Sequence, residues 1–217
     1  MQIKHLTKRY SDQSVFEDFN LEIEDGKVTC ILGESGAGKT TLLNIIAGLT
    51  EYEGDVERVN CSYIFQEPRL VPNLTVKKNL LLVCKDESQI SSMLQRVGLS
   101  SKANSYPVAL SGGQARRVAI ARAFLYKGDV VLMDEPFSSL DLKLKTDMMN
   151  VFSEVRSANG GRTAVFVTHD VDEALYLADR IIILSCGKII FESANKKAGA
   201  FGNHSPLREE LISVLLS

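Results

Sequence analysis

The chain contains no tryptophan and only five prolines among its 217 residues. It has no Pro- or Gly-rich linker, no internal repeat and no low-complexity tract, which leaves no seam between independent domains. No apolar run approaches the roughly 18–20 residues that a membrane-crossing helix needs. The longest runs, Arg180–Leu184 and Asn79–Cys84, are the size of buried strands or helix faces. Met1–Tyr10 carries no apolar signal segment. Cys30, Cys61, Cys84 and Cys186 are far apart and form no CxxC pair, so they read as reduced core thiols of a cytosolic protein. Neither sign of charge dominates: 25 Lys and Arg against 27 Asp and Glu give a formal charge of −2. That argues against bulk electrostatic binding to nucleic acid or anionic membrane. With 45% hydrophobic and 24% charged residues, disorder is excluded and one domain of ordinary soluble composition is expected.

What the chain does have is an alternation of short apolar strands with helical patterns. Leu21–Glu24, Lys27–Leu32, Asn60–Phe65, Asp129–Met133, Thr163–Val167, Arg180–Leu184 and Lys188–Phe191 read as strands. Lys39–Leu49, Val76–Cys84, Gln89–Val97, Gly112–Tyr126, Val171–Ala178 and Pro206–Leu216 read as helices. Leu144, Met148, Phe152 and Val155 form a further helical stripe. Buried strands alternating with helices predict an α/β fold, a mostly parallel sheet flanked by helices. The strandless block from about 70 to 125 reads as a helical lobe inserted into that fold.

Gly33-Glu-Ser-Gly-Ala-Gly-Lys-Thr40 matches the phosphate-loop pattern G-x-x-x-x-G-K-[ST] and lies between a predicted strand and a predicted helix, as that motif requires. Gly33, Gly36 and Gly38 allow turns that side chains forbid, so the N–H groups of Glu34, Ser35, Ala37 and their neighbours converge on phosphates. The helix N-terminus, through Thr41, adds its dipole. Lys39 supplies a point charge to the β- and γ-phosphates, and the Thr40 hydroxyl is a Mg²⁺ ligand. The chemistry needs a carboxylate at the end of another buried strand. Val130–Asp134 supplies Asp134 for Mg²⁺, and Glu135 follows as general base for an attacking water.

Leu110-Ser-Gly-Gly-Gln114 goes beyond what phosphate loops in general carry. Here the chain resembles the nucleotide-binding domain of ATP-binding cassette (ABC) proteins. The resemblance runs in order through the phosphate loop, Gln66, Leu110–Gln114, Asp134-Glu135, Ser139-Leu-Asp141 and His169. It implies a P-loop NTPase with an N-terminal antiparallel β portion. A single domain would span 1–217, with a nucleotide-binding core at 1–66 and 115–217 and an inserted helical lobe at about 67–114. It implies ATP and Mg²⁺ as ligands and a head-to-tail dimer, in which Ser111, Gly112, Gly113 and Gln114 complete the partner's site. In that scheme Gln66 reaches the Mg²⁺ and attacking water, His169 contacts the γ-phosphate, Asp141 communicates across the dimer and Tyr10 stacks on adenine. His5 and His204 match nothing.

One cassette with no coiled-coil insertion resembles a separate transporter subunit that docks on permease chains at the inner face of the cell membrane. The segment from Gln66 to Leu80 is most similar to bacterial importer ATPases of the nitrate, sulfonate and taurine type, which implies a substrate-binding protein reached through the permease. An exporter or lipoprotein-release ATPase, or a soluble non-transport cassette, shares the same catalytic residues. Asn73 stands where that importer group usually has Trp, and 44 positions separate Gln66 from Leu110, so a trimmed lobe is expected. Leu70, Val71 and Leu74, beside Pro68 and Pro72, read as an apolar anchor for a partner helix, with Leu70 and Leu74 packing the lobe's own core as the alternative.

Overall fold

The computed structural model describes residues 1–11, 13–138, 140–195 and 205–216. The chain opens with an antiparallel hairpin, β1 (Gln2–Tyr10) and β2 (Gln13–Glu22). It then enters the main sheet at β3 (Val28–Leu32), which the phosphate loop joins to α1 (Lys39–Ile46). β4 (Glu53–Val56) returns to pair with β1 and completes a three-stranded sheet, β2-β1-β4. β5 (Cys61–Ile64) leads into the helical region: α2 (Val76–Leu81), α3 (Glu87–Arg96), two short 3-10 turns and α4 (Gly112–Leu125). β6 (Val130–Asp134), α5 (Leu142–Ala158), β7 (Thr163–Thr168) and α6 (Val171–Leu177) follow. The hairpin β8 (Arg180–Ser185) and β9 (Lys188–Ala194) and the last helix, α7 (Pro206–Leu215), end the described chain.

The main sheet has the order β5-β6-β7-β3-β8-β9, parallel except for β9. Its strands are buried on both faces because successive side chains point opposite ways. Val131, Met133, Ala164, Phe166, Ile181 and Ile183 pack into one core with α2–α6 and α7. Val130, Leu132, Val165, Val167, Ile182 and Leu184 pack into the other, against Leu42, Leu43 and Ile46 of α1 and Ile3, Leu6 and Phe16 of the small sheet. Each fully buried side chain of this size contributes about 1.5–3 kcal/mol.

Three strands differ from the sequence reading. The pattern over Leu21–Glu24 marks only the end of β2, and β1 and β4 were not visible as separate strands. His5 and Asp18 have positive φ, and the β1–β2 register shifts three times, so irregularities break the period-2 alternation. β4 is Glu-Gly-Asp-Val, with no alternation to read. α1 also stops early. Gly48 at φ +68° turns the chain, and Leu49 N–H reaches Asn44 O at 2.8 Å while Gly48 N–H reaches Ile45 O at 2.9 Å, a glycine-based helix stop.

Candidate active site

Strand register assembles the site. Ile64 pairs with Met133, Asp134 with Val167, and Leu32 with Thr168. Gln66, Glu135, His169 and Gly33 therefore all leave the sheet in one row, just past the carboxyl ends of adjacent parallel strands. That edge is where open α/β sheets bind ligands.

At the start of α1, the Lys39 ammonium donates to Gly33 O at 2.7 Å and Glu34 O at 2.8 Å, closing the loop on itself. Burial pushes its pKa down, and the fields of Glu135 and Asp134 oppose that shift. The loop packs too closely for side chains at two points. A Cβ on Gly33, at φ +155°, would lie 2.2 Å from Leu184 O. A Cβ on Gly38, at φ +99°, would lie 2.9 Å from both Val15 and Phe16. The crown of the loop, Glu34, Ser35 and Gly36, is exposed, and Thr41 is half-buried.

The Thr40 hydroxyl donates to Asp134 Oδ1 at 3.0 Å. Burial raises the Asp134 pKa, and the Thr40 bond opposes the rise. The neighbouring Tyr63 hydroxyl lies 3.3 Å from Asn44 Oδ1, and its phenol is pushed up by burial first and by the Asp134 charge second. Glu135 takes φ +43°, a conformation that a non-glycine residue holds only when its surroundings fix it. Here Glu135 N–H donates to Val167 O at 3.0 Å, and Glu135 O accepts from Ser138 N–H at 3.2 Å and Ser138 Oγ at 3.0 Å. Its carboxylate faces His169, with Nδ1 3.2 Å from Oε2. Gln66 Nε2 donates to Ser138 Oγ at 3.3 Å. The structure thus brings Lys39, Thr40, Gln66, Asp134, Glu135 and His169 together.

The second group sits at another helix start. Ser111 caps α4: its hydroxyl accepts from Gln114 N–H at 3.3 Å, and Gln114 Oε1 accepts from Ser111 N–H at 3.0 Å. Ser111 and Gly112 are exposed, whereas Gly113 is buried 2.9 Å (Cβ position) from Leu144 of α5. Asp141, exposed, caps α5 by accepting from Leu144 N–H at 3.0 Å. Leu144 therefore joins the Ser111 and Asp141 helix starts. Among the described residues, no hydrogen bond or ion pair links Ser111 to its own phosphate loop. Tyr10 stands apart at the hairpin tip, 48% exposed, with Lys8 Nζ 4.5 Å from its ring centroid. Ser139 and His204 lie outside the described residues.

Sequence reasoning missed Ser138, which ties Gln66 to Glu135, and Arg116, which is buried on α4. Arg116 occupies the helical spacing of Gly113, Ile120 and Phe124, and a charge on that apolar face was the available signal. It also missed the cluster beside His169. There Lys145 Nζ reaches Asp170 at 2.5 Å and Glu173 at 2.7 Å, and Thr168 donates to Glu173 at 2.7 Å. Leu70 is half-buried against the main core, where the chain folds back on α4, which both the docking and the core-packing readings allow.

A furrow of about 760 Å³ lies at the far end of α1, past Tyr52, Arg58 and Asp129, and does not touch this constellation. The ABC transporter family model matches residues 16–138. This chain belongs to the ABC transporter ATP-binding family. Its relatives include the aliphatic sulfonates import ATP-binding protein SsuB 2 of Pseudomonas syringae pv. tomato, 41% identical over 190 residues, covering 85% of this chain and 82% of that one. SsuB 1 of Paracoccus denitrificans is 42% identical over 195 residues, covering 86% and 80%. Among solved structures, the dimeric bacterial ABC transporter cassette MJ0796 superposes with TM-score 0.77 at 30% identity, covering 89% of this chain and 97% of that one. A post-hydrolysis state of MJ0796 bound to ADP and Pi gives TM-score 0.75 at 30% identity, with the same coverage. The chain is an ABC ATPase and a nucleotide-binding protein. Among the described residues of this ABC cassette, no helix is long and apolar enough to cross a membrane.

Proposed function

We propose that this chain is the ATP-hydrolysing subunit of a membrane importer, working as a head-to-tail pair on permease chains at the inner face of the cell membrane. The convergence of Lys39, Thr40, Asp134, Glu135, Gln66 and His169 on one sheet edge carries this reading. Lys39 and the loop N–H groups hold the triphosphate. Glu135 takes a proton from the attacking water, Gln66 orients that water, and His169 reads the γ-phosphate. Tyr10 stacks on the base, which any flat ring tolerates. Ser111, Gly112, Gly113, Gln114 and Asp141 serve the partner's nucleotide. The open crown of the phosphate loop supports this, since a second copy would cover it.

Thr40 and Asp134 fit Mg²⁺: they are hard oxygen donors 3.0 Å apart at the loop. Among the described residues no cluster of three His, Cys, Asp or Glu side chains converges on a metal, which suits an ion that keeps waters and phosphate oxygens. When bound, Mg²⁺ would neutralise charge on the β- and γ-phosphates.

Residues 1–66 and 115–217 act as the nucleotide-binding core, and about 67–114 as the lobe that meets the permease. Relatives are named for importing sulfonates, sulfate or thiosulfate, and Fe(3+) ions. That diversity supports cargo selection by other chains, including a substrate-binding protein reached through the permease. The test is Glu135→Gln with Mg-ATP. It should bind nucleotide, hydrolyse it at least ~100-fold more slowly and elute from gel filtration as a dimer. A variant that stays monomeric at saturating ATP argues against the paired site.

A further inference from the structure

Arg116 is 8% exposed, five residues into the helix that Ser111 caps. Its guanidinium makes two bonds, both to main-chain carbonyls. Nη2 donates to Gln66 O at 2.6 Å and Nη1 donates to Pro136 O. One side chain therefore joins three segments distant in sequence: the Ser111 helix, the exit of β5 and the residue after Glu135. Among the described residues it has no ion-pair partner. Burial lowers its pKa, which means the fold bears a desolvation cost to keep a cation there. A neutral apolar residue would fill the same helix face without that cost. A planar fork with several donors is suited to bond two carbonyls from separate segments at once.

Other bonds hold the two gripped segments separately more than to each other. Glu135 sits at positive φ, held by Val167 O and by Ser138, while among the described residues Gln66 touches that loop through a long bond to Ser138 Oγ at 3.3 Å. Further along α4, Arg122 holds Arg69 O at 3.0 Å and Pro68 O at 3.2 Å. Among the described residues, the Arg122 guanidinium bonds only the lobe entrance. Arg116 alone of the two also bonds the Glu135 loop.

We infer that Arg116 is a positioning residue, which sets the relative placement of Gln66 and Glu135 and ties both to the helix whose N-terminus serves the partner's nucleotide. This rests on the proposed roles of Glu135 and Gln66. Neither of its bonds is to the phosphate loop, so its loss should reduce turnover more than nucleotide affinity.

The experiment is steady-state ATPase of Arg116→Met and Arg116→Lys, with Glu135→Gln alone and combined with Arg116→Met in single turnover. Arg116→Met should lower kcat by about ten- to a hundredfold, the range for a catalytic group misplaced by about 1 Å. KM for Mg-ATP should stay within about twofold, since uniform binding is untouched. Arg116→Lys should recover part of kcat, because an ammonium reaches the carbonyls without the fork. In the Glu135→Gln background, Arg116→Met should change the remaining rate by less than about twofold, as expected when two residues act through one step. An unchanged kcat overturns the inference. So does an equal loss of rate with and without Glu135, which marks a general structural effect. If Arg116→Met does not fold, Arg116→Lys and Arg116→Gln carry the same comparison. If Glu135→Gln alone keeps wild-type turnover, the assignment of Glu135 fails; if only the Arg116 variants do, the inference about Arg116 fails alone.

Discussion

Lys39 has two jobs that one substitution separates. Its ammonium satisfies Gly33 O and Glu34 O, yet burial disfavours its charge. Lys39→Ala removes the desolvation cost but leaves the carbonyls of buried Gly33 and exposed Glu34 without their donor, and because these effects oppose, the melting temperature should move by only a few degrees. ATP binding and hydrolysis should be lost, because the loop then offers no ammonium to the triphosphate. Calorimetric titration and a steady-state assay check this, and near-wild-type turnover refutes the site. Gly33→Ala should behave in the opposite way. Its Cβ would press on Leu184 O at 2.2 Å in a backbone conformation that alanine resists. The fold itself should lose about 1–3 kcal/mol, the scale of overpacking in a dense interior. A thermal melt distinguishes the two variants.

Helix caps give the element-scale prediction. Asp86 precedes α3 and its carboxylate accepts from Ser88 N–H at 2.9 Å, Gln89 N–H at 3.2 Å and Ser88 Oγ at 2.6 Å. The Ser88 hydroxyl bond, first among these, pulls the Asp86 pKa down to about 2. A carboxylate depressed in the folded state stabilises above its unfolded pKa of roughly 3.9. That contribution is lost as pH falls through about 2. Asp86→Ala should therefore melt below wild type by a constant gap above about pH 4, and the two curves should converge toward pH 2. A gap independent of pH would deny the carboxylate its role. Elements of this kind were legible in sequence where their chemistry is local. The apolar runs of β3, β6, β7 and β8, the turn at Gly33–Thr40 and the helix beginning at Gly112 all gave correct types, with ends misplaced by no more than one residue. What escaped was non-local. β4 exists because β1 lies beside it, and Glu135's positive φ depends on Val167 across the sheet. The role of Arg116 is likewise non-local, since the carbonyls it grips, Gln66 O and Pro136 O, lie at strand exits far from it in sequence.

At the scale of the whole molecule, the proposed head-to-tail pair assigns Ser111 and Lys39 to different nucleotides. Ser111→Arg puts bulk and charge at an exposed helix start while leaving the same chain's phosphate loop untouched. The isolated variant should bind ATP about as well as wild type but neither dimerise nor turn over. Mixed with an excess of Lys39→Ala, it should recover activity at one composite site, because the intact loop of the first meets the intact Ser111 of the second. Light scattering and ATPase of the mixture decide it; loss of ATP binding by the Ser111→Arg monomer would place Ser111 in its own site. The row of strand exits also tells an engineer where a reporter can be spliced. A residue added inside β5, β6, β7 or β3 would carry Gln66, Glu135, His169 or Gly33 about 3.3 Å out of line and turn its side chain to the other face. The opposite rim of the sheet carries no such residues. There Gly160 and Gly161, both at positive φ and with nothing near their missing side chains, turn the chain from α5 into β7. A small fluorescent tag inserted between them should leave Mg-ATP turnover within about twofold of wild type, and the same tag placed after Leu132 should abolish it.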